Sequence, residues 1–261
     1  MNPKLMGVVN VTPDSFSDGG RYLDAAAAIR HGEELLSDGA AILDVGGEST
    51  RPGAEPVGEV EELHRVVPVV EALAARGTVS IDTSKAAVAA AAIDAGAAIV
   101  NDVTALQGDP EMAALCAERG VGVVLMHMPG NPRTMQDDPR YDDMVDDVRE
   151  FLAARAEVAL AAGVAAERIW LDPGIGFGKT LEHNLELLRR LGELRELGRP
   201  LVIGTSRKSF IGRVDGSPVE ERIGGSLASA VLAAAEGADV LRVHDVAETA
   251  QALKVAAAVL G

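Results

Sequence analysis

The sequence predicts an α/β fold, a single (β/α)8 (TIM) barrel of parallel strands with residues 1–261 as one domain, and three observations carry the prediction. Short apolar runs alternate with amphipathic stretches from end to end, eight times over. A glycine often stands between a helical stretch and the next apolar run, at Gly39, Gly77, Gly96, Gly120 and Gly237, where helix C-termini favour it. The chain has 261 residues and no linker or composition break, and a closed barrel of this kind takes about 250 residues. An open doubly wound sheet is the alternative, but eight units and a closing helix over 246–260 favour the barrel.

Taken in order, the first apolar run, 5–9, leads through Asn10 into a long polar loop ending at Gly19-Gly20, then a helical stretch over 23–36. The second, 41–45, carries Asp44 and runs into Gly46-Gly47-Glu48-Ser49-Thr50-Arg51-Pro52-Gly53. Runs 79–81 and 98–100 end at Asp82 and Asn101, and 121–126 ends at Met126 beside His127, before helical spacing over 144–162. Run 168–171 reaches Asp172 and is followed by helical spacing over 181–197. Run 201–204 breaks into Ser206, Arg207, Lys208 and Ser209 ahead of a new helix, which is a ready-made anion site. The last run, 240–243, carries Arg242 and stops at His244. Strand alternation puts Arg242 with His244, and Trp170 with Asp172, on the same side.

Catalytic groups of such barrels sit where strands end. Here nearly every run ends in a polar or ionisable residue, a set hard to explain as turn chemistry alone. The two long loops after the first and second runs are also expected to be functional.

Composition narrows the class. The net charge of −16 argues against nucleic-acid or anionic-membrane partners. The 48% hydrophobic content, with only 3% aromatics, allows a core of Ala, Val, Leu and Ile. The one cysteine, Cys116, is expected to be a small buried apolar residue in a reducing compartment. No apolar run approaches membrane-spanning length and residues 1–5 lack a signal-peptide core, so a soluble cytoplasmic protein is expected.

Several motifs fail on inspection. The segment Gly174-Ile175-Gly176-Phe177-Gly178-Lys179-Thr180 lacks the first glycine of a phosphate loop, because Pro173 stands there, and Lys179 replaces the third glycine of a dinucleotide fingerprint. His31, His64 and His183 lie in helical stretches without ligand spacing and read as surface residues. There is no G-x-S-x-G nucleophile and no zinc spacing, which disfavours covalent and zinc chemistry.

The remaining groups divide in two. Asp82, Asn101, Asp172 and Lys208 suit a flat, nitrogen-rich heterocycle, because a carboxylate accepting two N–H bonds is a strong bidentate contact. Arg242, His244 and Asn10 suit an anion, with the acidic first loop able to hold Mg²⁺ through oxygens.

The stretches 7–20, 44–53, 172–179, 206–209 and 242–246 closely resemble those of the dihydropteroate synthases, a pterin-binding barrel family, over essentially the whole chain and in the same order. The resemblance implies condensation of 6-hydroxymethyl-7,8-dihydropterin pyrophosphate with p-aminobenzoate to 7,8-dihydropteroate and pyrophosphate, with catalysis by Asp172, Lys208, Arg242 and His244. It implies that Asp82, Asn101, Asp172 and Lys208 hold the pterin, with Met126 and Phe177 packing nearby. It places pyrophosphate and Mg²⁺ at Asn10, Arg242 and His244, with Asn10 a metal ligand, and p-aminobenzoate beside Thr50, Arg51, Pro52 and Ser209. Phe16, Asp14 and Asp18 are expected to join through the first loop, and the chain is expected to form a homodimer. Two rivals are a pterin-barrel methyltransferase serving a corrinoid protein, disfavoured by the anion sites, and a paralogue that binds pterin without turnover.

Overall fold

Eight parallel strands form one sheet in the order β6-β5-β4-β3-β2-β1-β8-β7. They are β1 (Lys4–Asn10), β2 (Ile42–Gly46), β3 (Thr78–Asp82), β4 (Ile99–Asp102), β5 (Gly122–Met126), β6 (Ile169–Asp172), β7 (Val202–Ile203) and β8 (Val240–Val243). This computed structural model describes residues 2–12, 21–49, 55–131 and 133–260, omitting the side chains of residues 21–24. The sheet closes on itself where Leu171 bridges Leu201, and the Leu171 N–H donates to the Pro200 carbonyl at 2.9 Å. The closing strand is short because Pro200 has no N–H to add to the ladder and the chain turns away after Gly204.

Helices α1 (Arg21–Ser37), α2 (Glu59–Ala74), α3 (Ala86–Asp94), α4 (Met112–Arg119), α5 (Met144–Ala161), α6 (Leu181–Arg189), α7 (Ser209–Asp215), α8 (Ile223–Ala235) and α9 (Val246–Leu260) alternate with the strands, α7 and α8 both lying between β7 and β8. Strand residues alternate between two environments, as period-2 geometry requires. One set, including Leu43, Val45, Ile81, Val123, Leu171 and Leu241, packs outward into the main core with the helices. The other forms a separate inner layer of Met6, Ile42, Ile99, Val124, Val202 and Val240, with Trp170 against it. Trp170 therefore has the inward parity expected of it, and Ile42, Ile99, Val124, Trp170 and Val240 each stand two places before a strand-end residue on the same side: Asp44, Asn101, Met126, Asp172 and Arg242.

The (β/α)8 expectation and all eight strands are found, with two local differences. The stretch 181–197 is not one helix: α6 ends at Arg189 and a 3-10 helix runs over Leu191–Leu197. Leu191 and Leu194 are both fully buried, a three-residue spacing that the tighter helix puts on one face. Of the helix-ending glycines, Gly39, Gly96, Gly120 and Gly237 take positive φ, but Gly77 does not. A Cβ on Gly77 would lie 2.9 Å from Leu36, so close packing of α1 selects glycine there.

Cys116 is buried in α4, and burial pushes its thiol up to about 12. His183 is not a mere surface residue: with Thr180 it forms the capping box of α6, and its ring meets Tyr141 edge-on at 5.0 Å. Among the described residues no helix is long and apolar enough to cross a membrane.

Candidate active site

The C-terminal ends of the strands bring the polar residues together in one mouth. Asp44 on β2 and Asp82 on β3 face Arg242 on β8, whose Nε donates to Asp44 Oδ2 at 2.6 Å and Nη2 to Asp82 Oδ2 at 2.8 Å. Asn101 Nδ2 adds a bond to the same Asp44 oxygen at 3.0 Å. Both carboxylates are buried, and each keeps one oxygen, Oδ1, without a partner among the described residues. Burial raises the Asp82 carboxyl to about 7; the Arg242 charge opposes this, while the Asp44, Glu62 and Asp102 carboxylates add to it. The two halves that the sequence separates thus meet here, because Arg242 is held by Asp82 of the heterocycle half together with Asp44.

A second group gathers around Asp172 at the end of β6. Its Oδ1 accepts the Gly174 N–H at 2.7 Å, and burial raises its pKa against the opposing charge of Lys208. Lys208 enters from the N-cap of α7, and burial lowers its ammonium to about 8, with Asp172 opposing. The ion pairs among the described residues include none between these two: Lys208 Nζ donates to the Ile175 carbonyl and lies 4.8 Å from the Phe177 ring centroid. Phe177 packs with Met126, Val103, Met128 and Met135, a flat apolar surface beside the charged groups. A Cβ on Gly174 would fall 2.0 Å from the His127 carbonyl, so only glycine, at φ 68°, lets the turn close over β5.

The anion half is looser. His244 Nδ1 meets Ser206 Oγ at 3.0 Å, and the His244 N–H reaches the same oxygen at 3.2 Å. Arg207, which the sequence groups with Lys208, turns the other way and pairs with Asp245, its Nε to Oδ2 distance being 3.0 Å. The structure therefore sends one cation of that pair into the mouth and the other to the surface. Ser209 is exposed at the start of α7, and Asn10 is half-buried at the end of β1. Thr50, Arg51 and Pro52, like Asp14, Phe16 and Asp18, lie outside the described residues.

Beside Asp82 opens a cavity of about 520 Å³, lined also by Glu48, Glu62, Ser84, Val103 and Arg133. Lys85 bridges Glu48 at the root of the second loop to the fully buried Glu62 on α2. Glu48 Oε1 in turn accepts the Val57 N–H at 3.2 Å, joining the two sides of that loop.

Sequence reasoning missed the weight of four residues. Asp44 stands among the strand ends but has no role there, although its inward parity with Asp82 across the β2–β3 register was readable. Lys179 and His127 are buried together under the glycine turn, their Nζ and Nδ1 2.9 Å apart. Asn184 braces that turn from α6, accepting the Gly176 N–H at 2.6 Å, and helical spacing alone gives no signal for it.

A parallel (β/α)8 barrel whose strand ends converge buried carboxylates, an amide, a lysine and an arginine defines a barrel enzyme that holds a polar ligand in its mouth. Residues 6–244 match the family described as pterin binding enzyme. A dihydropteroate synthase of Escherichia coli K12 is 49% identical over 261 residues, covering 99% of this chain and 92% of that protein. Among solved structures, the Xanthomonas albilineans dihydropteroate synthase with 4-aminobenzoic acid superposes with a TM-score of 0.93 at 50% identity, covering 99% of this chain and 93% of that one. The same organism's enzyme in complex with 7,8-dihydropteroate gives a TM-score of 0.90 at 46% identity, covering 99% and 94%. The chain belongs to the pterin-binding enzyme family, in its dihydropteroate synthase branch.

Proposed function

We infer that this mouth carries dihydropteroate synthesis, condensing 6-hydroxymethyl-7,8-dihydropterin pyrophosphate with p-aminobenzoate and releasing pyrophosphate. The observation that carries the reading is the convergence of Asp172, Lys208 and Phe177 at one strand end of a barrel 46% identical to an enzyme in complex with 7,8-dihydropteroate. Asp172 presents a buried carboxylate for the paired N–H edge of the pterin. Asp82 and Asn101 supply further polar contacts, and Met126 and Phe177 cover the ring face.

The arylamine is neutral and nucleophilic, so the chain need not supply a base to activate it. The barrier lies in departure of pyrophosphate from the pterin methylene carbon. Arg242 and His244 stabilise the charge that develops on the leaving oxygens, a term that grows only as the C–O bond breaks. Lys208, Asp172 and the Phe177 face hold the ring so that positive charge spreads into it while the arylamine adds. Ser209, with Thr50, Arg51 and Pro52, takes the p-aminobenzoate carboxylate and ring.

Mg²⁺ fits the donors present. Asn10, at the end of β1, offers a hard amide oxygen, a donor that suits an ion which keeps waters and takes most of its shell from phosphate oxygens. When bound it supplies charge neutralisation at the pyrophosphate.

The decisive experiment follows both products in purified protein. Equal amounts of pyrophosphate and 7,8-dihydropteroate are expected when both substrates are present, with loss of turnover in EDTA and recovery on adding Mg²⁺. Methyl transfer without pyrophosphate release, or pterin binding without turnover, overturns the reading; full activity in EDTA removes the metal from it.

A homodimer through α8 and α9 is part of this proposal, and cytoplasmic residence accompanies it. Leu232, Val255, Val259 and Leu260 are each at least 60% exposed and lie on these two packed helices. Such an apolar patch is covered most economically by its own copy across a two-fold axis. Sedimentation at micromolar concentration is expected to give twice the 27.0 kDa chain mass, and Val259→Glu to halve it. A monomeric parent protein ends the dimer proposal, and recovery of the protein in a membrane fraction ends the assignment to the cytoplasm.

A further inference from the structure

Every carbonyl from Gly174 to Gly178 has its own donor. The Gly174 oxygen accepts the Phe177 N–H at 3.0 Å, the Ile175 oxygen accepts Lys208 Nζ, and the Gly176 oxygen accepts Gln136 Nε2 at 2.9 Å. The Phe177 oxygen accepts Lys179 Nζ at 3.0 Å, and the Gly178 oxygen accepts the Tyr141 hydroxyl at 2.7 Å. A turn with three glycines at positive φ has little stiffness of its own, so these donors set its shape.

Lys179 is the member of this set that the reaction does not explain. It is 1% exposed, and the one carboxylate whose charge acts on it among the described residues is Asp172, which it does not contact in an ion pair. Its Nζ donates to Phe177 O at 3.0 Å and lies 2.9 Å from His127 Nδ1. The His127 N–H in turn donates to the Asp172 carbonyl at 2.9 Å. One buried amine thus ties the turn that carries Phe177 to the strand that carries Asp172. Burial holds the Lys179 pKa well down, with the Asp172 charge opposing, and burial lowers the His127 ring as well. A methionine would fill the same volume with no buried nitrogen to desolvate, so what the nitrogen adds at this position is the bonds it makes.

We propose that Lys179 is a positioning residue of the reaction: through Phe177 O and His127 Nδ1 it fixes the 174–178 turn, and with it the Phe177 ring and Asp172, in the one geometry that receives the pterin. The inference rests on the assignment of Phe177 and Asp172 to the pterin, and the test separates the two. Lys179→Met is expected to raise KM for the pterin pyrophosphate about tenfold, the worth of one or two buried hydrogen bonds, with KM for p-aminobenzoate within about twofold. Phe177→Ala is the control and is expected to move the same constant. If Phe177→Ala raises KM while Lys179→Met only lowers the melting temperature, Lys179 is structural and the proposal falls alone. If neither variant moves KM, the Phe177 assignment falls and takes the proposal with it. Should Lys179→Met fail to fold, Tyr141→Phe deletes a single hydroxyl donor from the same turn. A rise of about threefold in the pterin constant supports the platform, and no change overturns it.

Discussion

Asp172→Asn is expected to remove turnover while leaving the barrel folded. The fold survives because asparagine keeps an oxygen at the place of Oδ1, which accepts the Gly174 N–H at 2.7 Å and so preserves the start of the turn. The site does not survive. An amide turns one of two acceptors into a donor, so a pterin N–H meets another N–H, and the charge opposite Lys208 is gone. Two charge-assisted bonds of about 1.5–3 kcal/mol each correspond to roughly a 10²–10⁴-fold loss in kcat/KM. Calorimetric titration with an unphosphorylated pterin separates binding from chemistry. A melting temperature near that of the parent, with pterin affinity lost, is the expected pair of results. Affinity within a few-fold of the parent would remove Asp172 from the pterin site.

The sequence shows the barrel because a parallel strand buried on both faces writes an uninterrupted apolar run, as at 79–81 and 121–126, and because helix ends favour glycine. It shows many of the mouth residues because the fold places function at strand ends. It does not show which of them pair. Asp44 and Arg242 lie 198 positions apart, and their contact depends on the pairing of the first strand with the last, β1 with β8, which leaves no local pattern. Lys179 was legible only as the residue that spoils a nucleotide fingerprint; a lysine in a glycine-rich turn ordinarily points to solvent, and only the close approach of β5 buries this one. The break of 181–197 was hidden because leucines recur at spacings compatible with both helix types.

The Asp44–Arg242–Asp82 cluster makes the strongest statement about stability. Arg242→Ala leaves one fully buried carboxylate and one nearly so without their cation, and breaking such an arrangement costs about 3–5 kcal/mol. Activity falls as well, and on both substrate halves, because the same guanidinium that faces the pyrophosphate also orders Asp82 toward the pterin. The loss has a pH signature with a definite sign. Asp82 is raised to about 7 in the folded chain, so the native state holds a proton that the unfolded chain releases near pH 4. The stability from that proton is complete below about pH 4 and is lost as pH rises through about 7. Arg242 is the cation that holds this value down; without it the Asp82 pKa moves higher and the loss continues above pH 7. The melting deficit of Arg242→Ala relative to the parent is therefore expected to be larger at pH 8 than at pH 6. An equal deficit at the two values would mean that Asp82 is already ionised in the folded chain at pH 6 and that the Arg242 contribution is packing alone.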